Sequence, residues 1–160
     1  MAEEDNVVIK MAEGTDAPSI LDLLKQLNQE SSYLAVDDNL NELTNAQEAI
    51  QIDLLNSSGK NIVLIAKINN EIIGIVSITE LDDAPNEGEL GVAVLEKYQN
   101  MGLGTALIDA AIDWYQNYSL LEELSLEVFN ENTKAINLYI KLGFEIVSKN
   151  SIKAKMLFSN

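Results

Sequence analysis

The segment Val92-Ala93-Val94-Leu95-Glu96-Lys97-Tyr98-Gln99-Asn100-Met101-Gly102-Leu103-Gly104-Thr105 reads as a buried strand, a turn and the opening of an amphipathic helix near Gly102. The first N–H groups of a helix have no partner within it, and the aligned peptide dipoles add partial positive charge there. Gly102 and Gly104 carry no side chain, so an anion such as a phosphate can come close to those amides. A Gly-x-Gly pair also serves tight packing of a helix on a sheet, and at this level both readings stand. Two other phosphate motifs fail on their residues. A dinucleotide fingerprint wants a third small residue where Leu107 stands, and a nucleoside-triphosphate loop wants Ser or Thr after Gly-Lys, whereas Gly59-Lys60 is followed by Asn61.

Composition narrows the remaining chemistry. The chain has 160 residues, 26 acidic and 10 basic, with no histidine and no cysteine, and a formal charge of -16. Without cysteine there is no disulfide, thiolate metal site or thiol nucleophile; without histidine there is no Ser-His-Asp triad, imidazole base or imidazole ligand. No metal is expected. Acid–base work falls to carboxylates, Tyr, Lys, the chain termini or water. The negative charge disfavours nucleic acid and anionic membranes and mildly favours a cationic partner, although surplus acid also keeps a protein in solution. Met1-Ala2-Glu3-Glu4-Asp5 is acidic where a signal peptide is basic, and no apolar run is long enough to cross a bilayer, so a cytoplasmic protein is expected. The length and the 47% hydrophobic content fit one globular domain over residues 1–160.

The elements that must position these residues follow from hydrophobic spacing. A strand is expected at Val7–Met11, then a helix with Asp16 or Thr15 at its cap, Pro18 in its first turn and Ile20, Leu23, Leu24 and Leu27 on its apolar stripe. A second helix is expected over 44–55. The β-branched runs 61–68 and 71–79 flank Asn69-Asn70, a hairpin turn. A loop over 82–86 precedes a strand over 89–94. The helix over 102–117 buries Leu103, Leu107, Ala110, Ala111 and Trp114 in this reading. A strand over 124–129, a helix over 133–142 ended by Gly143, and strands over 144–148 and 152–158 complete the order β-α-α-β-β-β-α-β-α-β-β. Hairpins followed by β-α-β crossovers imply a mixed α/β sheet with helices on its faces.

Two segments together resemble the GNAT family of N-acetyltransferases. Gln99-Asn100-Met101-Gly102-Leu103-Gly104 fits the Q/R-x-x-G-x-G/A pattern, after a V-x-V strand and before a helix. Downstream, Leu126-Glu127-Val128 and then residues 130–144 are similar to the family's strand followed by N-x-x-A-x-x-L-Y-x-K-x-G-F. The likeness covers nearly the whole chain. It implies an α/β (α+β) fold with a mostly antiparallel sheet of about seven strands, about four helices, and a splayed cleft between the fourth and fifth strands. It also implies acetyl-CoA as co-substrate and a primary amine as acceptor, joined by direct attack in a ternary complex. A non-catalytic acyl-CoA-binding module of the same fold is the alternative.

On this resemblance the backbone amides of Met101, Gly102, Leu103, Gly104 and Thr105 would hold the pyrophosphate, with Gln99 and Asn100 in the same loop. Where the family often carries Arg-Gly-Lys/Arg-Gly, this chain has Gln99-Asn100-Met101-Gly102, which places more of the binding on main-chain N–H groups. Val92 and Val94 would pair with the pantetheine arm, and the Val94 N–H would polarise the thioester carbonyl. Asn132 would contact the arm, cap a helix, or both. Tyr139 is the candidate general acid; spacing alone reads it as a core aromatic. Glu89, on one strand face with the small Gly91 and Ala93, is the candidate base, and Glu127 beside Ser125 is the second choice. Acceptor recognition is expected from the first two helices and the segment 81–87, with Asp82, Asp83, Asp37, Asp38 and Glu30 as acidic candidates; each also reads as a solvated surface residue. A homodimer is one assembly the resemblance implies, though no long exposed apolar stripe compels it.

Overall fold

The β-branched runs form strands, and a computed structural model, which describes residues 6–30, 52–54 and 56–159, joins seven of them in one sheet. In chain order the elements are β1 (Val7–Met11), α1 (Ala17–Glu30), β2 (Ile62–Ile68), β3 (Glu71–Leu81), β4 (Ala84–Val94), α2 (Leu103–Asn117), β5 (Glu123–Phe129), α3 (Thr133–Lys141), β6 (Phe144–Lys149) and β7 (Lys153–Phe158). Short 3-10 turns at Gly14–Asp16 and Glu96–Tyr98 lead into α1 and out of β4. The spatial order is β1-β2-β3-β4-β5-β7-β6, antiparallel throughout except for the parallel pair β4–β5. Residues 52–54 and 56–57 are helical, at the end of the helix expected over 44–55; the rest of that helix lies outside the described residues.

Burial explains the layering. Ile62, Val63, Ile65 and Ala66 of β2, and Ile72, Ile73 and Gly74 of β3, are buried without strict alternation, so both faces are covered at the centre of the sheet. Helix α1 contributes Ile20, Leu21, Leu23 and Leu27 to the core. Helix α2 contributes Leu103, Leu107, Ile108, Ala111, Ile112 and Tyr115. The apolar stripe of α2 is therefore rotated from the expected one, and Ala110 and Trp114 sit half-buried at its border. The stripe of a core-facing helix is wide enough to take neighbouring positions, and the branched Ile108 and Ile112 fill the space against the sheet. At the far edge, β6 buries only Phe144.

Two local features depart from expectation in ways that matter for the site. Strands β3 and β4 run to Leu81 and from Ala84, so the loop expected over 82–86 shrinks to the Asp82-Asp83 turn. Pro85 is accommodated because the register jumps from Leu81↔Ala84 to Glu80↔Gly88, leaving residues 85–87 in a bulge where a missing N–H costs nothing. Asn86, at φ 67, gives its N–H to a Glu80 carboxylate oxygen at 2.8 Å and accepts the Glu122 N–H on its carbonyl, also at 2.8 Å. The second departure is Asp16, which reaches back into the turn that precedes α1. Its carboxylate accepts the Glu13 N–H at 2.9 Å and meets Lys10 at 3.6 Å and Lys67 at 3.4 Å. The hairpin turn forms as expected: Asn69 takes φ 56 between paired Ile68 and Glu71.

Candidate functional site

The site is built around a fork in the sheet. Strands β4 and β5 pair over three rungs, Glu87↔Glu123, Gly88↔Leu124 and Glu89↔Ser125, and there the pairing stops. Beyond it each strand stays with its other neighbour: β4 follows β3 to the Gly74↔Val94 rung, and β5 follows β7 to the Phe129↔Lys153 rung. Residues 90–94 and 126–129 therefore line an opening between the fourth and fifth strands. The Leu95 N–H donates to the Ile73 carbonyl at 3.0 Å, which makes Gly74↔Val94 a non-hydrogen-bonded pair. By alternation Val92 faces Val76 in the same way. The main-chain N–H and C=O groups of Val92 and Val94 thus point away from β3, into the fork.

The loop beyond β4 closes on itself and then opens α2. Gln99 donates from Nε2 to the Val94 carbonyl at 3.0 Å, and the Tyr98 N–H returns to Leu95 at 2.8 Å. Asn100 takes φ 63 and Gly102 takes φ 81, left-handed turns that bring the chain round to the helix start. Gly102 is the N-cap residue, and no side chain caps the helix. Its carbonyl accepts the Ala106 N–H at 3.0 Å, which leaves the first-turn amides of Leu103, Gly104 and Thr105 facing outward. A Cβ built on Gly102 or on Gly104 would meet nothing within 4 Å. Close helix–sheet packing therefore explains neither glycine. Gly102 is required by its positive φ; at Gly104 neither the backbone nor the neighbours demand glycine, and the space above it is open. Met101 is 72% exposed, whereas the Leu103 side chain is buried in the core, so Leu103 offers the loop only its backbone.

Glu89 stands at the last rung before the fork opens, between Thr79 and Ser125. It is half-buried, and burial pushes its carboxyl above the usual carboxylate range, reinforced by the charges of Glu127 and Glu87 and opposed by Lys153 and Lys155. Its neighbour Glu87 is buried but held ionised. Desolvation alone would raise it, yet Lys155 Nζ at 2.8 Å and the Ser125 hydroxyl, donating at 2.8 Å, bring it below its ordinary value. Glu127 is more exposed and lies 3.9 Å from Lys153. Strand alternation puts Glu87, Glu89, Gly91 and Ala93 on one sheet face with Ser125, Glu127, Lys153 and Lys155.

Tyr139 approaches from the other face. Its ring packs edge-on against Phe144 at 6.0 Å between centroids, and Phe144 in turn meets Phe158 at 5.4 Å. Burial pushes its phenol upward. Asn132 caps α3, its side chain accepting the Ala135 N–H at 3.3 Å, so the capping role expected of it is filled. The two arms of the fork are joined beyond their strands: Lys134 of α3 donates through Nζ to Asn100 Oδ1 in the loop after β4. Neither Lys134 nor the Glu87–Lys155 pair stands out in the sequence, because both depend on partners far along the chain.

The acidic residues expected to meet an acceptor fall in different places. Asp82 and Asp83 are exposed at the β3–β4 turn. Glu30 is engaged: one carboxylate oxygen accepts the Glu96 N–H at 2.9 Å, tying the end of α1 to the turn before the loop. Asp37 and Asp38 lie outside the described residues. A cavity of about 560 Å³ opens between Asp22 and Gln26 of α1, Asn69 and Asn70 of the hairpin, and Tyr98. No helix among the described residues is long and apolar enough to cross a membrane.

Comparison with known proteins agrees with this geometry. Residues 20–144 match the model of the Acetyltransferase (GNAT) family. An N-alpha-acetyltransferase of Sulfurisphaera tokodaii is 34% identical over 93 residues, covering 52% of this chain and 56% of that protein. The spermidine N(1)-acetyltransferase of Escherichia coli K12 is 32% identical over 82 residues, covering 51% of this chain and 44% of that protein. The chain thus spans about half the length of these curated relatives. The crystal structure of a GNAT-family acetyltransferase from Streptococcus pneumoniae superposes with a TM-score of 0.84 at 29% identity, covering 95% of this chain and 98% of that one.

Proposed function

From the premise that this chain belongs to the acetyltransferase (GNAT) family, we propose that it transfers an acetyl group from acetyl-CoA to a cationic primary amine by direct attack. The observation that carries this is the open space over Gly104 at an uncapped helix start, beside the Val92 main chain and the Val94 N–H, which point away from β3. The donor's diphosphate occupies that space, held by the amides from Met101 to Thr105. Its pantetheine arm lies in the fork as a short added strand against Val92 and Val94.

The residues divide the proton work across the sheet. A lysine-like amine has a pKa of about 10.4 and must shed a proton before attack. Glu89 takes that proton, through water, and its raised pKa makes it a stronger base than an exposed carboxylate. The amine nitrogen then bonds to the thioester carbon, and the developing oxyanion is stabilised by the Val94 N–H. When the intermediate collapses, the C–S bond breaks and the thiolate takes a proton from Tyr139, which burial keeps as the phenol. The nitrogen gives up its extra proton, which returns through solvent to the tyrosinate and leaves a neutral amide. The absence of cysteine favours this single displacement over an acyl-enzyme. The formal charge of -16 supports a cationic acceptor, and a cytoplasmic location is part of this reading.

The deciding experiment is a titration with acetyl-CoA followed by thiol release over a panel of N-terminal peptides, lysine peptides and polyamines. Saturable binding with turnover on at least one cationic amine is expected. Binding without turnover on any member would replace the transferase by an acyl-CoA-binding module, and absence of binding would overturn both.

A further inference from the structure

With acetyl-CoA as the donor, the reading on which this inference rests, the glycine loop must hold several phosphate charges with little charge of its own. Residues 99–105 contain no cationic side chain, and the adjacent Lys97 is turned over the Tyr98 ring, 5.4 Å from its centroid. Main-chain amides and a helix dipole supply only partial charges. A CoA donor carries a diphosphate and a 3′-phosphate, and it must approach a protein of formal charge -16. A full positive charge at the loop would offset that repulsion.

The structure brings one from the opposite arm of the fork. Lys134 reaches from the first turn of α3 to Asn100 Oδ1. Two observations set this lysine apart. It occupies a helix N-terminus, where a cation opposes the dipole, so helix stability does not explain it. In a chain with 26 acidic and 10 basic residues, its partner among the described residues is a neutral amide rather than a carboxylate. The ammonium is thus exposed, uncompensated, and held at the loop that leads to the uncapped amides of α2.

We propose that Lys134 is a donor-binding residue whose ammonium pairs with a phosphate of CoA, joining the two arms of the fork across the bound molecule. Asn100 holds the side chain in place before the donor arrives.

The test is calorimetric titration of CoA into the wild type, Lys134→Met and Lys134→Arg at low ionic strength and again in about 0.5 M salt, where charges are screened beyond a few ångströms. Ligand-free melting checks that the variants fold. Lys134→Met should bind CoA about tenfold more weakly at low salt, as expected for loss of one charge-assisted contact. The gap should narrow in high salt, and Lys134→Arg should recover most of the affinity. Repeating the titration with dephospho-CoA locates the contact. An unchanged ratio assigns it to the diphosphate and a lost ratio to the 3′-phosphate, and either supports a phosphate partner. Unchanged CoA affinity in Lys134→Met, or a loss that ignores salt and is not rescued by arginine, would overturn the role of this lysine alone. A wild type that does not bind CoA would overturn it together with the reading beneath it.

Discussion

The open space above Gly104 permits a test in which stability and binding move independently. Gly104 is the second residue of α2, and a Cβ built there meets nothing within 4 Å. Replacing a helical glycine by alanine is worth up to about 1 kcal/mol, and by valine roughly 0.3 kcal/mol, because the backbone loses less freedom on folding. Gly104→Ala should therefore raise the melting temperature by about 2–4 °C, the response of a chain this size to 1 kcal/mol. Gly104→Val should melt within about a degree of the wild type. Binding should follow a different order. The methyl of alanine is small enough for a phosphate to remain near the amides, whereas the branched valine stands over the amides of residues 103–105. Loss of one or two charge-assisted contacts, at about 1.5–3 kcal/mol each, predicts at least tenfold weaker acetyl-CoA binding in Gly104→Val. Thermal unfolding without ligand and calorimetric titration with acetyl-CoA measure the two quantities. Wild-type affinity in Gly104→Val, or a fall in stability in both variants, would refute the placement of the diphosphate.

Three further outcomes concern the proton work and the base of the fork. Tyr139→Phe keeps the ring packing on Phe144, so donor affinity should hold while kcat falls tenfold or more; unchanged kcat would remove the phenol from the reaction. The Glu89 carboxyl titrates above its ordinary value of 4.5, and a base works only when deprotonated, so wild-type kcat/KM should drop as pH falls through that raised value. Glu89→Gln should be slow and lack this acid limb, and an identical profile would point to another base. Glu87 titrates below 4.5, so its stabilising effect is complete above pH 4.5 and disappears as pH falls through the lowered folded value. Glu87→Gln should cost about 1–3 kcal/mol in urea unfolding at pH 7 and make the remaining stability less sensitive to acid.

How much of this was legible in the sequence depended on whether the cause was local. The Asn69 turn, the Asn132 cap and the glycine loop each rest on a few adjacent residues, and each forms where the residue types indicate. The seven-strand sheet and the fork also followed, through the resemblance carried by residues 99–104 and 126–144. The extent of β4 did not, because Pro85 signals a break unless the bulge opposite Glu80 and Leu81 is known. The α2 stripe was misplaced because Ala110 and Trp114 have the right spacing, and only the sheet decides that Ile108 and Ile112 face it. Glu87–Lys155 and Asn100–Lys134 join residues that meet only when separate strands and helices are assembled, so no spacing rule could have revealed them.

The fork also bears on how the protein avoids sticking to itself. Unpaired strand backbone at the rim of a sheet invites pairing with other polypeptides, and here the rims are β1 and β6, where Val8, Ile146 and Val147 are exposed. The Val92 backbone and the Val94 N–H, which also point away from their strand neighbour, are instead flanked by a second strand that meets β4 at the closed rungs up to Glu89 and Ser125. Closed at its base and flanked by β5, this backbone is reached from the open end of the fork rather than along a free rim. On the proposed reading a slender molecule carrying amide groups enters from that open end, so the arrangement that keeps this edge off the sheet's rim also selects what reaches it.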